Sequence, residues 1–413
     1  MARAANVASS RPQLRLVSAD DKRARSSLRT SNRGLIVSLL VAAFLLTATG
    51  LIMVLSASSV TAFAQTGSGF SFFQRQCVYG LVGVVGMSTA ARLHHTIWRR
   101  IAFPFFGITI VLLFLVLHPA AGHAAGGSSR WIAFGPVTIQ PSEIAKLSVV
   151  AFAAAVLTKK WKKLDEPSHL LLPLLPAVGF VCVLVMLQPD LGTTVVIAGM
   201  VFILLFAAGV RLRYLATAGV VGAALGFALI MGASYRRERF LSFLDPWGDP
   251  KNTGYQLIQS LIGLASGGLT GVGLGASRQK WGYLPNGHTD FIFSILGEEL
   301  GLIGAVAVLF LFGVLLFTGV RIASRAPDVF GRLLAAGIVG WLGLQTIINL
   351  GAVTGLLPIT GVPLPFVSYG GSSLVVSLTA VGILVSIARS GPKGGGRGVA
   401  KAKAGRGPKR RSR

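Results

Sequence analysis

Residues 235–301 read YRRERFLSFLDPWGDPKNTGYQLIQSLIGLASGGLTGVGLGASRQKWGYLPNGHTDFIFSILGEELG. The chain on either side is almost pure hydrocarbon. This stretch instead carries the carboxylates Glu238, Asp245, Asp249, Asp290, Glu298 and Glu299, with Arg236, Arg237, Arg239, Lys251, Arg278 and Lys280. Most connections between elements are short, about 4–6 residues. A polar segment of this size between membrane spans is therefore read as the working part of the molecule, and the rest as its scaffold in lipid.

The composition sets that scaffold. The chain has 413 residues, 53% hydrophobic and 13% charged, with mean hydropathy +0.70. A soluble domain carries about 25% charged residues. Many apolar runs here approach or exceed the ~18–20 residues that cross a bilayer. Backbone groups in lipid must be bonded internally, which forces helices. The expected fold is an all-α integral membrane protein with ten spans, near 35–57, 76–92, 101–117, 143–158, 169–187, 191–210, 214–234, 291–320, 333–356 and 372–389. A ten-span domain over 35–389 would sit between basic tails, 1–34 and 390–413, that read as disordered.

The tails, counted with Arg389 at the boundary, supply +16 of the formal +26 charge. They suit cytosolic topology signals and attraction to anionic lipid better than nucleic-acid binding, and no nucleic-acid partner is expected. Arg92, Arg99 and Arg100 follow span 2, and Lys159, Lys160, Lys162 and Lys163 follow span 4. Arg211 and Arg213 follow span 6, and Arg321, Arg325 and Arg332 follow span 8. The alternation puts both tails and these joints in the cytosol, so the loop 235–290 faces outward. Its cations then break the positive-inside rule. They are expected either to hold an anionic ligand such as a phosphate or to pair with Glu238, Asp245 and Asp249. Leu257 to Ala276 reads as an interfacial or partly re-entrant helix whose glycines permit close approach. Cys77 and Cys182 fall in spans without metal-ligand spacing and read as small apolar residues.

Ionisable groups in spans default to function. Pro141 and Glu143 suit the first turn of a helix. Glu143 and Lys146, three apart, can pair on one face, and Lys146 can equally serve a ligand. Arg130 and Trp131 just upstream could hold a phosphate and stack on a sugar or lipid. Asp190 suits a helix cap. Glu298 lies roughly 80° round the helix from Asp290 and could share its cavity, whereas Glu299 points the other way, toward a neighbouring helix. Asp290 opens an apolar run at the water–lipid boundary, where capping and chemistry compete. In LLPITGVPLPFVSYGGSS (356–373), Ser368, Ser372 and Ser373 could bond a ligand or the loop itself.

PLPFVSYGGSS (363–373), GYQLIQSLIGLASGGLTGVGLGASRQKWGYLPNGHTDFIFSILGEELG (254–301), QPDLGTT (188–194) and RWIAFGPVTIQPSEIAKL (130–147) together resemble the SEDS family, the shape, elongation, division and sporulation proteins that include FtsW and RodA. The likeness covers about residues 34–390. FFQRQ (72–76), RRERFLSFLDPW (236–247) and the HTDF segment are most similar to the division branch rather than the elongation branch. The resemblance implies a peptidoglycan glycosyltransferase of the cell membrane, working at the division septum on lipid II, undecaprenyl pyrophosphate bearing GlcNAc–MurNAc-pentapeptide. It implies Asp290, the HTDF aspartate, as the catalytic group. Arg75, Arg130, Lys146, Arg236, Arg239, Lys280, His288, Ser368 and Ser372 are the expected substrate ligands. A divalent cation, Mg2+ or Mn2+, could share the pyrophosphate charge, although no metal cluster is visible in the sequence. The implied partners are an FtsI-type class B penicillin-binding protein, FtsQ, FtsL and FtsB, and FtsZ through the tails. Where relatives read PEAHTDF this chain reads PNGHTDF, so Asn286 removes an acid. A lipid II flippase and a non-catalytic divisome scaffold are the alternatives from other classes. The polar residues gather on the outer half of the chain, which weighs against transport.

Overall fold

The computed structural model describes residues 19–118, 122–125, 128–134, 137–161 and 167–391. Most of the two basic tails, and Lys162 and Lys163, lie outside these residues. Each expected span coincides with a long helix: α1 (Ala19–Thr66), α2 (Ser71–Arg92), α3 (Thr96–Leu117), α4 (Pro141–Lys159), α5 (Pro167–Met186), α6 (Leu191–Ala207) and α7 (Leu212–Met231). After two short helices, α8 (Ser234–Leu244) and α9 (Tyr255–Ser266), come α10 (Ile292–Ser324), α11 (Val329–Val353) and α12 (Gly371–Ser390). Among the described residues, seven helices (α1, α3, α4, α7, α10, α11, α12) are long and apolar enough to cross a membrane by length and composition. α1 begins at Ala19, inside the stretch read as tail.

Two features depart from the expected all-helical pattern. Residues 122–139 form a small antiparallel sheet in the order β1 (Gly122–Ala125), β2 (Ser128–Phe134), β3 (Val137–Ile139). His123 pairs with Trp131 and Ile132 with Ile139. The sheet carries Arg130 and leads directly into α4. The second departure is in the eighth long helix, which is broken at Gly301 (φ 66°).

That break explains the glycine-rich segment that follows α9. Val272 and Gly273 donate their N–H groups to the carbonyls of Glu298 and Glu299, at 3.0 and 3.1 Å. Beyond the break, the N–H groups of Leu302 and Ile303 reach Gly268 O and Leu269 O, at 2.9 and 3.2 Å. Residues 267–273 thus satisfy the backbone that the kink leaves open, as a broken helix at membrane depth requires. Gly267 must be glycine for this approach, since a Cβ there would lie 2.0 Å from Gly297 O.

α4 and α12 form the centre of the bundle and are buried on nearly all sides. Their small residues allow it: α4 carries Ala145, Ala151, Ala153, Ala154 and Ala155, and Gly382 of α12 sits so near α2 that a Cβ would lie 2.2 Å from Met87 O. Small residues that let backbones approach are the usual means of packing helices in lipid. α7 is the opposite case. Only Leu215 of that helix is buried, and Leu212, Val220, Val221, Leu225 and Phe227 are exposed, as on a helix facing lipid.

Candidate active site

Asp290 stands two residues ahead of α10, on a turn organised by Asn286. Asn286 has φ 55°, a conformation that Asn tolerates better than most side chains. Its carbonyl accepts from Thr289 N and Oγ1, both at 3.1 Å, and from Phe291 N at 3.3 Å. The Asn286 carbonyl thus builds the turn.

The turn is clamped from the other end of the chain. Asn349 Nδ2 on α11 donates to Asp290 O at 2.7 Å and to Val362 O at 2.8 Å. Tyr369 N donates to His288 O at 3.0 Å. The rings of Phe72, His288 and Tyr369 pack together, with centroids 5.1–5.8 Å apart. Gly361 (φ 71°) faces the carboxyl, where a Cβ would lie 3.6 Å from Asp290 Oδ2. The Pro/Gly-rich segment 356–373 is thus the wall opposite Asp290.

Asp290 is half-buried. Desolvation pushes its pKa up from the ordinary carboxylate value. A hydrogen bond from Thr289 Oγ1 (2.6 Å) and the charges of Arg239 and Arg130 act the other way. Burial lowers His288 to about 4, so at neutral pH it is an uncharged imidazole beside the acid. Burial raises Tyr369, against the nearby guanidinium of Arg75.

The structure brings some of the expected residues together and turns others elsewhere. Arg130 and Arg239 lie near enough for their charges to act on Asp290, His288 packs on Tyr369, and Arg75 stands beside Tyr369. Arg130 is braced by the α5–α6 turn, donating from Nε to Gln188 O at 2.9 Å and from a terminal nitrogen to Pro189 O. Ser368 and Ser372 serve the backbone. Ser368 Oγ accepts from Leu364 N at 2.8 Å, and Ser372 Oγ accepts from Gln140 N at 3.0 Å, tying α12 to the start of α4. Arg236 donates to Leu229 O at 2.8 Å and Lys280 to Gly275 O. Lys146 lies 1% exposed inside the bundle, its Nζ 2.8 Å from Glu143 and 2.7 Å from Gln345.

Among the described residues, the carboxylates other than Glu238 have structural partners. Asp190 caps α6 through Thr193 N at 3.0 Å. Asp245 and Asp249 accept from backbone groups of their own turns, Gly248 N and Thr253 N, at 3.1 and 3.2 Å. Glu298 does not share the Asp290 cavity. It accepts from Ser277 Oγ, Arg278 N (2.9 Å) and Gln279 N (3.4 Å), anchoring the loop before the HTDF turn. Glu299 reaches a neighbouring helix, accepting from Ser56 Oγ of α1 at 2.6 Å. Among the described residues no group of three or more His, Cys, Asp or Glu side chains is placed to hold a metal ion. Asp290 is thus a single carboxylate among cations, suited to taking a proton beside a leaving phosphate.

A family model described as a cell cycle protein, covering FtsW, RodA and SpoVE, matches residues 37–392. The chain belongs to this family. A probable peptidoglycan glycosyltransferase FtsW from Geobacter metallireducens is 45% identical over 349 residues, 84% of this chain and 93% of that protein. Stage V sporulation protein E of Bacillus subtilis is 44% identical, over 85% of this chain and 96% of its own. Among solved structures of the FtsW/RodA/SpoVE kind, the rod shape determining protein RodA of Thermus thermophilus matches with TM-score 0.62 at 30% identity, over 85% of this chain and 96% of that one. A chain from a peptidoglycan synthase complex, solved to explain how polymerization and crosslinking are coordinated, matches with TM-score 0.71 at 31% identity, over 86% and 98%.

Proposed function

We propose that this chain is a peptidoglycan glycosyltransferase that polymerises lipid II, with Asp290 as its base. The observation that carries the assignment is the setting of Asp290: one half-buried carboxyl of raised proton affinity, on a clamped turn, with Arg130 and Arg239 beside it. The names of relatives sharing 45% of their aligned residues with this chain support the reaction class.

In this reading the Asp290 carboxylate takes the proton of the GlcNAc 4-hydroxyl on the acceptor lipid II. The oxygen attacks C1 of MurNAc at the reducing end of the growing chain. The new C–O bond forms as the C1–phosphate bond breaks, and undecaprenyl pyrophosphate leaves with the electron pair. The transfer inverts C1 and needs no second carboxylate. In this reading Arg130 and Arg239, whose charges act on Asp290, and Arg75, beside Tyr369, hold the diphosphate, and Lys146 stays in its buried pair with Glu143.

The remaining features follow the same reading. α2, α5 and α6 complete ten crossings, the tails face the cytosol and 235–290 faces outward. A crosslinking partner of the class B penicillin-binding kind suits a chain resembling one from a polymerization and crosslinking complex. The stronger match to FtsW and SpoVE relatives favours a septal site of action. The test is polymerisation of labelled lipid II by the purified chain with its transpeptidase. Asp290→Asn is expected to abolish the glycan ladder; a wild-type ladder from that variant removes the assignment.

A further inference from the structure

A cleft lies where α2 and α12 end together, the end that the basic joints mark. It has a volume of about 300 Å3 and is lined by Ala91, Arg92, Leu93, His94, Ser386, Arg389 and Ser390. None of these side chains is acidic. Its walls are fixed by the close α2–α12 packing, by Ser386 Oγ donating to Leu93 O at 2.5 Å and by Arg389 donating to Ala91 O at 3.5 Å. Two of the carbonyls at the helix end, which would repel an anion, are thus occupied. Among the described residues, the Arg92 side chain makes no hydrogen bond or ion pair, so an exposed guanidinium lines the cleft without a partner.

The approach to the cleft is apolar. Val78, Val82 and Val85 are exposed on α2 and recur at helical spacing on the face that ends at Arg92. From Val78 to Arg92 the helix rises about 21 Å, and from Val82 about 15 Å, so the stripe runs through at least half of a ~30 Å hydrocarbon core. A cationic cleft at the foot of such an apolar stripe matches a lipid with an anionic head. We propose that this cleft binds an anionic phospholipid, its phosphodiester between Arg92 and Arg389 and an acyl chain along Val78, Val82 and Val85. The site is independent of the Asp290 reaction.

The test uses the full chain in detergent, with phosphatidylglycerol or phosphatidylcholine titrated and bound lipid counted by native mass spectrometry. R92Q/R389Q is expected to bind phosphatidylglycerol about tenfold or more weakly, the worth of lost charge-assisted hydrogen bonds. R99Q/R100Q, which removes the same charge from the neighbouring helix start, is expected to bind as wild type. Should the double variant be unstable, R92Q alone carries the test, because that side chain holds nothing in the fold. Equal phosphatidylglycerol binding by wild type and R92Q/R389Q overturns the proposal, as does an equal loss in R99Q/R100Q. A melting-temperature rise with inorganic phosphate that matches the rise with phosphatidylglycerol also overturns it, by assigning the cleft to free phosphate.

Discussion

Asn349 donates one amide nitrogen to the carbonyl of Asp290 at 2.7 Å, from 59 residues away in the chain. The same nitrogen reaches Val362 O at 2.8 Å, so a single side chain fixes the Asp290 turn against the wall that faces it. Asn349→Ala leaves two carbonyls without this donor. Each unsatisfied buried group costs about 1–3 kcal/mol, so a lower melting temperature is expected. A carboxyl set loose by 1 Å loses turnover rather than binding. Polymerisation should fall by at least about tenfold in kcat, a barrier change of ~1.4 kcal/mol, with KM for lipid II little changed. A raised KM at constant kcat would show that Asn349 contacts substrate instead.

The acid limb of the pH–rate profile tests the electrostatics of Asp290. Burial raises its pKa, and Arg239 and Arg130 hold it down. The base must be ionised to act, so turnover is lost as pH falls through the raised value. The effect on stability has the opposite sense. The fold prefers the protonated carboxyl, so its contribution is fully present below the ordinary carboxylate pKa and is lost as pH rises through the raised one. Arg239→Gln removes one of the lowering charges. The acid limb of kcat/KM is expected to move to higher pH in that variant; an unmoved limb would separate Arg239 from Asp290.

Glu298 holds the chain that leads into the HTDF turn. Its carboxylate accepts from Ser277 Oγ and from the N–H groups of Arg278 and Gln279, and it is 2% exposed. Glu298→Ala leaves those donors without their acceptor, at about 1–3 kcal/mol each. The expected result is a lower melting temperature and faster proteolysis within 277–285, with polymerisation lost although Asp290 is intact. Glu298→Gln keeps one acceptor oxygen and should fall between. Proteolysis unchanged in both variants would mean that the loop is held by other contacts.

Local chemistry was legible in the sequence, and long-range chemistry was not. The Asp190 cap and the Glu143–Lys146 pair join residues three apart, a spacing that helix geometry alone supplies. The helices were legible because apolar runs in lipid have one conformation open to them. The kink at Gly301 was hidden because its hydrogen-bond partners, Gly268 and Leu269, lie in another segment. The Phe72–His288–Tyr369 cluster and the bonds of Gln76 to Ser368 and Gly370 cross most of the chain, and no local period marks them. The β-sheet escaped because its strands are as short as 3 residues, too few to show alternation.

Lys146 shows how a candidate ligand can be separated from a structural ion. Its ammonium bonds Glu143 and Gln345 and lies 5.3 Å from the Trp341 ring centre. Gln345 in turn donates to Pro363 O at 2.8 Å, on the segment facing Asp290. Removing one member of a buried pair costs about 3–5 kcal/mol, whereas replacing both with apolar side chains of similar volume is often neutral. Lys146→Met alone should therefore destabilise strongly, and Glu143→Leu with Lys146→Met should recover most of the loss. Because Trp341 Nε1 still donates to Gln345 Oε1, at 2.7 Å, the bond to Pro363 is expected to persist in the double variant. That variant should fold and polymerise lipid II at near wild-type kcat/KM. A folded double variant with a sharply raised KM would instead return Lys146 to the group that holds the diphosphate.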